Sequence, residues 1–576
     1  MRMENKGPAG RTRPQVRREA ALRRGLAGAP LVTWCMRYVA GACAFASRSG
    51  PIRCVPPPDA IQNQELIVFP PSSALILPAT GILSVTPGGH VGKIDPLHHL
   101  RMAARAKKVG GAGLKRFVVH SALLSLIDPV RGEPTRTPLD ENPDAISGGQ
   151  QLKQKFLDSF ALICSTSSKG AETASAVCLE QHDPAGAILR VARNRGLTPN
   201  DLTGLEDVLQ ILRVVARKEK SSTQAELDIL RLVVDLDRAR ILSIAEKVKK
   251  GIRNLLQEAQ SRLLTGQVKP EALAKPGLKP WLDRCPFTVA SLRDCDPATM
   301  VMLVDWASQA RWPYSEQLQS LLGLGDTQKP PWLDSLHKIA RYHSAIKSMV
   351  KLAAKQPEVL AGIQIREVRA APDPRPFPLP NWGADLLTAV RQLVGKEDSR
   401  VIMEQLEKHL EMHLGTQDVE AQLRRPRRLN LTLHAEMQIV VFYEGNGSPV
   451  PRMPFIGTSK KACFLCHEYL LRHPLRLRVS ACHQKIYPSW MPPPYYPIPG
   501  QKFPRTPFTY LSEHIEQLTR SELKNALTAP RRPPNQDSTA GPPLTTTATE
   551  STGLGSWRPA GIRPSPGGGG RSEDLG

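Results

Sequence analysis

The feature that most constrains the fold of this 576-residue chain is a set of four side chains in two short motifs. They are His434 and Glu436 in Leu-His-Ala-Glu-Met, and Cys463 and Cys466 in Lys-Ala-Cys-Phe-Leu-Cys. One imidazole and two thiols are the protein ligands of a zinc site whose fourth tetrahedral position stays open, whereas a structural zinc is normally closed by four. A chain that uses them in this way must fold its two motifs onto one point. Cys463 and Cys466, three apart, share one face of a helix. A helix start also favours the thiolate, because its free N–H groups stabilise negative charge. His434 and Glu436, two apart, point away from each other on a regular helix. They serve one site if His434 sits at the first turn, where Glu436 stands beside a bound water as a proton shuttle.

Cys-x-x-Cys has competing readings. Cys463-Phe-Leu-Cys466-His467 matches a haem attachment pattern without any secretory signal to support it, and the context of a redox dithiol is absent. A closed structural zinc formed by Cys463, Cys466, Cys482 and His483 is the main rival, although its second half lacks a regular knuckle spacing. The ten cysteines, mostly isolated along the chain, do not resemble a disulfide framework, so a reducing interior is the expected compartment.

Composition shifts along the chain set the expected domains. The 53 prolines mark long stretches that are neither helix nor sheet. Residues 1–95 and 529–576 read as low-complexity flanks that cannot bury enough apolar surface to offset chain entropy. Residues 11–54 are rich in Arg and poor in acids, as mitochondrial transit peptides are. The apolar run Pro30–Ala46 is interrupted by Arg37 and is too short to span a bilayer. The expectation is an intracellular protein of nucleus or cytoplasm, with the mitochondrion as the alternative and no membrane partner.

Between the flanks, residues 151–197 read as helix, strand, turn, strand, with a turn at His182-Asp-Pro-Ala-Gly186. Residues 201–425 carry helical periodicity. Thr223-Gln-Ala-Glu226 reads as a capping box opening one long helix, and further helices are expected near Met300–Ala310, Ser335–Ala354 and Ala384–His413. The run Leu429–Tyr443 is ambiguous between strand and buried helix, with Gly445 and Gly447 as its stop. Pro454–Thr458 reads as a strand, Cys463–Arg472 as a helix and Leu475–Cys482 as another strand.

In order along the chain, Leu433-His-Ala-Glu436, Phe455-Ile-Gly-Thr-Ser-Lys-Lys-Ala-Cys-Phe-Leu-Cys466 and His483-Gln-Lys-Ile-Tyr-Pro-Ser-Trp490 resemble the zinc-dependent nucleic acid and nucleotide deaminase superfamily. Within it they look like the fungal- and Orientia-type deaminase-like family. One departure is Ala462, where the superfamily signature has Pro. The resemblance implies an α/β, cytidine-deaminase-like three-layer fold, a mixed sheet with helices on both faces. It begins helix, strand, strand, a pattern that residues 96–200 supply and that residues 201–425 then separate, as an inserted or independent helical domain, from a zinc-binding core at 426–528. It also implies Zn²⁺ held by His434, Cys463 and Cys466, Glu436 as proton carrier, and Asn194 at the nucleotide. The alternatives are a non-catalytic zinc module that binds nucleic acid or protein, and a deaminase-like scaffold without turnover.

Charge bears on the substrate. The chain has 77 Lys and Arg against 53 Asp and Glu, a formal charge of +24, and from Arg424 to Arg505 there are 13 basic residues against Glu436, Glu444 and Glu468. That crowding reads either as a solvated basic surface or as a groove for nucleic acid or nucleotide. Tyr487, Trp490, Tyr495 and Tyr496 are candidates to stack a base, or members of a Pro-aromatic clamp among the surrounding prolines. His483 and Tyr487 are expected either to line the site or to hold the turn.

Overall fold

The computed structural model describes residues 110–525 apart from 136–143, 145–147, 170–171, 183–185, 265–276, 289–291, 293, 323–329, 370–372, 415–422, 447–449 and 496–505. The expected flanks, the Arg-rich segment 11–54 and Tyr496 lie outside the described residues. The described chain is mixed α/β. In order it runs α1 (Gly111–Ile127), α2 (Gly149–Ile163), β1 (Ser175–His182), β2 (Gly186–Arg193), α3 (Pro199–Ala216), α4 (Ser222–Leu236), α5 (Arg238–Leu264), α6 (Leu278–Asp283), α7 (Pro297–Arg311), α8 (Ser315–Leu322), α9 (Pro331–Lys355) and α10 (Pro357–Leu360). It continues with β3 (Gln364–Glu367), β4 (Arg375–Pro376), α11 (Trp382–Val394), α12 (Ser399–Leu414), β5 (Asn430–Leu431), α13 (Ala435–Asn446), β6 (Phe455–Thr458), α14 (Phe464–Leu471), β7 (Arg478–Val479) and α15 (Pro507–Asn525). No helix among the described residues is long and apolar enough to cross a membrane.

One mixed five-stranded sheet, ordered β3-β2-β1-β6-β7, organises these elements. β1 is antiparallel to both neighbours, pairing with β2 from Ser175↔Arg193 to His182↔Gly186 and with β6 at Ala176↔Thr458 and Val177↔Gly457. The outer pairs β2–β3 and β6–β7 are parallel. Alternate side chains of the central strands enter two separate cores, as the period of two requires. Val177, Leu179, Leu189 and Val191 pack in the core that contains Phe156 and Phe160 of α2. Ala176, Cys178, Ala192 and Ile456 face the other core, with Phe117 of α1, Val440 of α13 and Leu465 of α14. A sheet buried on both faces explains why β1 is apolar through Ala176–Leu179 and not alternating.

The helical region is not packed apart from this sheet. α9 lies against α2, α3, α4, α5 and α7. Its Leu336, Ile339, Ile346 and Met349 belong to the same core as Phe156 and Val191. The first cap differs from expectation. Ser221, not Thr223, caps α4, accepting the Gln224 amide at 3.3 Å, and Thr223 is already inside the helix. The long helix expected there is two helices, broken at Asp237. A reciprocal capping box forms instead at Thr198, whose hydroxyl accepts from the Asp201 amide while the Asp201 carboxylate accepts from the Thr198 amide. Ala384–His413 likewise divides into α11 and α12 around Gly395 at φ +95°. Leu429–Tyr443 resolves into the short β5 and then α13, which runs through Gly445 to Asn446. The strand expected over Leu475–Cys482 shrinks to Arg478–Val479.

Gly457 fixes how closely α2 approaches the sheet. A Cβ there would lie 2.2 Å from the Leu157 carbonyl carbon, so α2 and β6 touch backbone to backbone. Asp158 secures the contact by accepting the Thr458 amide at 2.8 Å. Gly457→Ala is expected to destabilise the chain by at least about 2 kcal/mol, since neither backbone yields cheaply. Urea unfolding measures this, and a wild-type midpoint would contradict the close approach.

Candidate metal centre

The site is built from the end of β2, the start of α13 and the start of α14. β2 ends at Arg193, and the next residue, Asn194, accepts the Ala435 amide at 2.8 Å through Oδ1. Gln438 adds a second tie, its Nε2 donating to the carbonyls of Arg193 at 3.2 Å and Leu433 at 3.1 Å. α13 therefore starts at Ala435, and His434 sits just outside it, its carbonyl accepting from the Met437 and Gln438 amides. This relieves the angular conflict between residues two apart, because His434 is not on the regular helix while Glu436 is in its first turn.

Cys463 is the N-cap of α14, with its thiol accepting the Cys466 amide at 3.3 Å. Ala462 donates its amide to the Ala481 carbonyl at 2.8 Å, a bond that proline in its place has no N–H to make. The departure from the signature thus has a local reason. His483 returns a bond from its amide to the Ala462 carbonyl, and Phe464 donates to the Lys485 carbonyl, both at 3.0 Å. The 482–486 segment is held on its other side by Thr135, Arg131 and Pro129.

These ties bring the donor atoms of His434, Cys463 and Cys466 within 4.8 Å of one another. His434 Nδ1 is 3.6 Å from Cys463 Sγ and 3.4 Å from Cys466 Sγ. Tetrahedral zinc with its usual bonds to nitrogen and sulfur has an N···S edge of about 3.6 Å, so the donor set fits the ion. Burial disfavours the thiolate at both cysteines. At Cys463 this is outweighed by the Cys466 thiol and the His434 imidazolium, which hold Cys463 well below the ordinary thiol range. Burial and the neighbouring Cys463 thiolate keep Cys466 above it. Burial opposes the imidazolium of His434 too, yet the Cys463 thiolate and Glu436 leave it above its usual value. Glu436, 9% exposed, is raised above the carboxylate range first by burial, against the pull of His434.

The structure distinguishes the other expected residues. Cys482 and His483 stand outside the metal-capable set. Cys482 Sγ accepts the Gln484 amide at 3.3 Å and its thiol is pushed up to about 12 by burial. His483 Nδ1 accepts the Lys485 amide at 3.0 Å, and burial brings it down to about 4. The closed four-ligand site is not assembled here. Tyr487 stays half-buried with its ring centroid 6.1 Å from that of His434 and 5.5 Å from that of His483, so it lines the site. Trp490 does not have the base-stacking position expected of it. It is 0% exposed, packed on Phe117 and Tyr469, and its indole N–H donates to Cys466 Sγ at 3.3 Å. Such a donor behind a ligand sulfur orients it and tunes its basicity. Tyr495 feels the charge of Glu444, near the end of α13 away from His434. Asn194 adjoins the site through its Oδ1, which accepts the Ala435 amide and holds the first turn of α13.

Residues 433–494 match the family model described as OTT_1508_deam-like deaminase. That span contains His434, Glu436, Cys463 and Cys466, so a deaminase-like domain lies over the His-x-Glu and Cys-x-x-Cys motifs. No significant match is found among curated proteins or among solved structures.

Proposed function

We propose that the chain is a zinc-dependent hydrolytic deaminase acting on cytosine or adenine in nucleic acid or nucleotides, with a cytidine-deaminase-like fold split by the helical region of residues 201–425. The observation that carries this reading is the convergence of His434 Nδ1 with the two thiols at 3.4 and 3.6 Å, with Glu436 buried beside them and outside the donor set. The split fold is supported by the pairing of β1 with β6 and by the bond from the Ala435 amide to Asn194, which tie segments on either side of the helical region into one sheet and one site.

Zinc, held by His434, Cys463 and Cys466, would supply the Lewis acidity that makes a water nucleophilic near neutral pH. Glu436 takes the proton that this water gives up when its oxygen adds to the ring carbon bearing the amino group. The same carboxyl returns the proton to the amino nitrogen, which leaves as ammonia as the exocyclic C–N bond breaks; the added oxygen becomes C=O and its remaining hydrogen ends on the adjacent ring nitrogen. Burial raises the Glu436 carboxyl, which favours its carrying a proton. Asn194 and Gln438 hold the His434–Glu436 turn in place, and Tyr487 flanks the approach to His434.

Ammonia release from cytosine and adenine nucleosides, their monophosphates and single-stranded DNA and RNA tests the reading. Turnover of at least one member by zinc-loaded full-length protein is expected. A zinc-loaded chain inert across the whole panel would favour a non-catalytic zinc module instead.

A further inference from the structure

The helical region brings its own cations to the edge of the metal centre. Lys460 follows β6 and precedes Cys463, and its charge acts directly on His434. The charges acting on Lys460 come first from Arg240, Lys338 and Lys247, and then from Lys485. Lys338 in turn feels Lys247, Arg341 and Arg240. Arg240 and Lys247 are seven apart on α5, two turns along one face, and Lys338 and Arg341 are one turn apart on α9, which packs against α5. Arg240 is anchored where the sheet opens toward the site, donating to the Ser165 carbonyl at 2.8 Å and to the Ser165 hydroxyl. Nearby, Ser175 at the start of β1 and Ser459 at the end of β6 bond each other at 2.9 and 3.0 Å. The surfaces of α5 and of the β6–α14 connection therefore approach the end of the sheet, at the start of β1 and just past β2 and β6, where Asn194 holds the His434 turn, and α9 packs on α5 there.

We infer that Arg240, Lys247, Lys338 and Arg341, with Lys460 and Lys485, form a phosphate-binding subsite beside the metal centre, so that the ligand carries a phosphate, as a nucleotide or as a phosphodiester strand. The inference rests on the deaminase reading for what the phosphate is attached to, but not for the subsite itself. A solvated basic face would hold these groups apart in water. Here Arg240 and Arg341 are buried, Lys338, Lys460 and Lys485 are half-buried, and Lys247 opens to solvent. Burial, then the neighbouring cations with Asp334 acting against them, brings Lys338 down to about 8. Burial and the same cations bring Lys460 to about 8. Among the acids near them, Asp334 lies on α9, Glu436 beside the metal-capable set, and burial pushes Asp237 up to about 8. Holding like charges together costs folding energy, and a phosphate with several acceptor oxygens offsets that cost through charge-assisted hydrogen bonds.

The test is direct binding to full-length, zinc-loaded protein carrying Glu436→Gln, so that turnover cannot consume the probe. Inorganic pyrophosphate, cytidine and adenosine 5′-monophosphates, and a single strand of about 15 nucleotides are titrated by calorimetry and anisotropy. At least one phosphate-bearing probe is expected to bind. Adding Lys247→Gln and Lys338→Gln should weaken it about tenfold or more, with Arg at both positions restoring most of the affinity. For the strand, the slope of log affinity against log salt should become shallower by about 0.7 for each phosphate that the variant no longer neutralises. Monophosphate binding identifies a nucleotide source, and binding of the strand alone identifies the phosphodiester source. If the double variant fails to fold, exposed Lys247→Gln alone is expected to weaken binding severalfold. No binding of any phosphate probe, or equal binding by variant and parent, overturns the inference. An inactive chain with lysine-dependent phosphate binding would contradict only the proposed reaction, and an active one indifferent to both lysines only the subsite.

Discussion

Glu436→Gln is expected to lower ammonia release by about 10²- to 10⁴-fold while zinc content stays at one per chain. The substitution keeps the shape of a buried side chain in the first turn of α13 and removes only its ability to take and return a proton. The fold is indifferent to that loss, because α13 is positioned by Asn194 and Gln438. The metal is indifferent as well, because the donor set is His434, Cys463 and Cys466. Metal analysis and an ammonia assay on the same preparation read both halves. Undiminished turnover in Glu436→Gln would remove the carboxyl from the chemistry. Loss of zinc together with activity would make Glu436 a ligand.

The second large effect is expected from the metal itself. Cys466→Ser should abolish stoichiometric zinc binding and with it all turnover. It replaces a fully buried sulfur that accepts the Trp490 indole N–H and sits in the metal-capable cluster with Cys463 and His434. Zinc held there would join the starts of α13 and α14, so its removal should also loosen the fold. An ion at a thousandfold excess over its Kd stabilises the folded state by about 4 kcal/mol, and a strong chelator should therefore lower the melting temperature of the wild-type chain by several degrees. Cys466→Ser should start from that lowered value and show no further response to chelator. A chelator-insensitive wild type would mean that the convergence of donors does not serve a metal.

The tetrad was legible in the sequence because its chemistry sits in the residue types and their spacing, and because a helix start is a local property. The hairpin at residues 175–193 was legible for the same kind of reason, a turn between two short apolar runs. What depended on tertiary contact was not. Nothing local to Trp490 tells a buried donor behind a thiol from an aromatic face offered to a base. Its neighbours Phe117 and Tyr469 decide that, and they come from α1 and α14. Thr223 and Ser221 look equally good as caps, and the register of α4 on its neighbours selects the second. Ala462 departs from a pattern for a reason visible only in its bond to Ala481. α1 and α15, which pack on each other, carried no motif to single them out. Nothing local to Arg240 or Lys338 singles them out in the sequence. Their proximity to Lys460 exists only once more than a hundred residues of helix fold back onto the sheet.

X-ray absorption at the zinc edge of the full-length protein tests the central claim most directly. The account predicts one imidazole nitrogen and two sulfurs, the latter at about 2.3 Å, with one exchangeable oxygen in the remaining position. Four protein ligands with no exchangeable oxygen, or a chain that takes up no zinc, would contradict it.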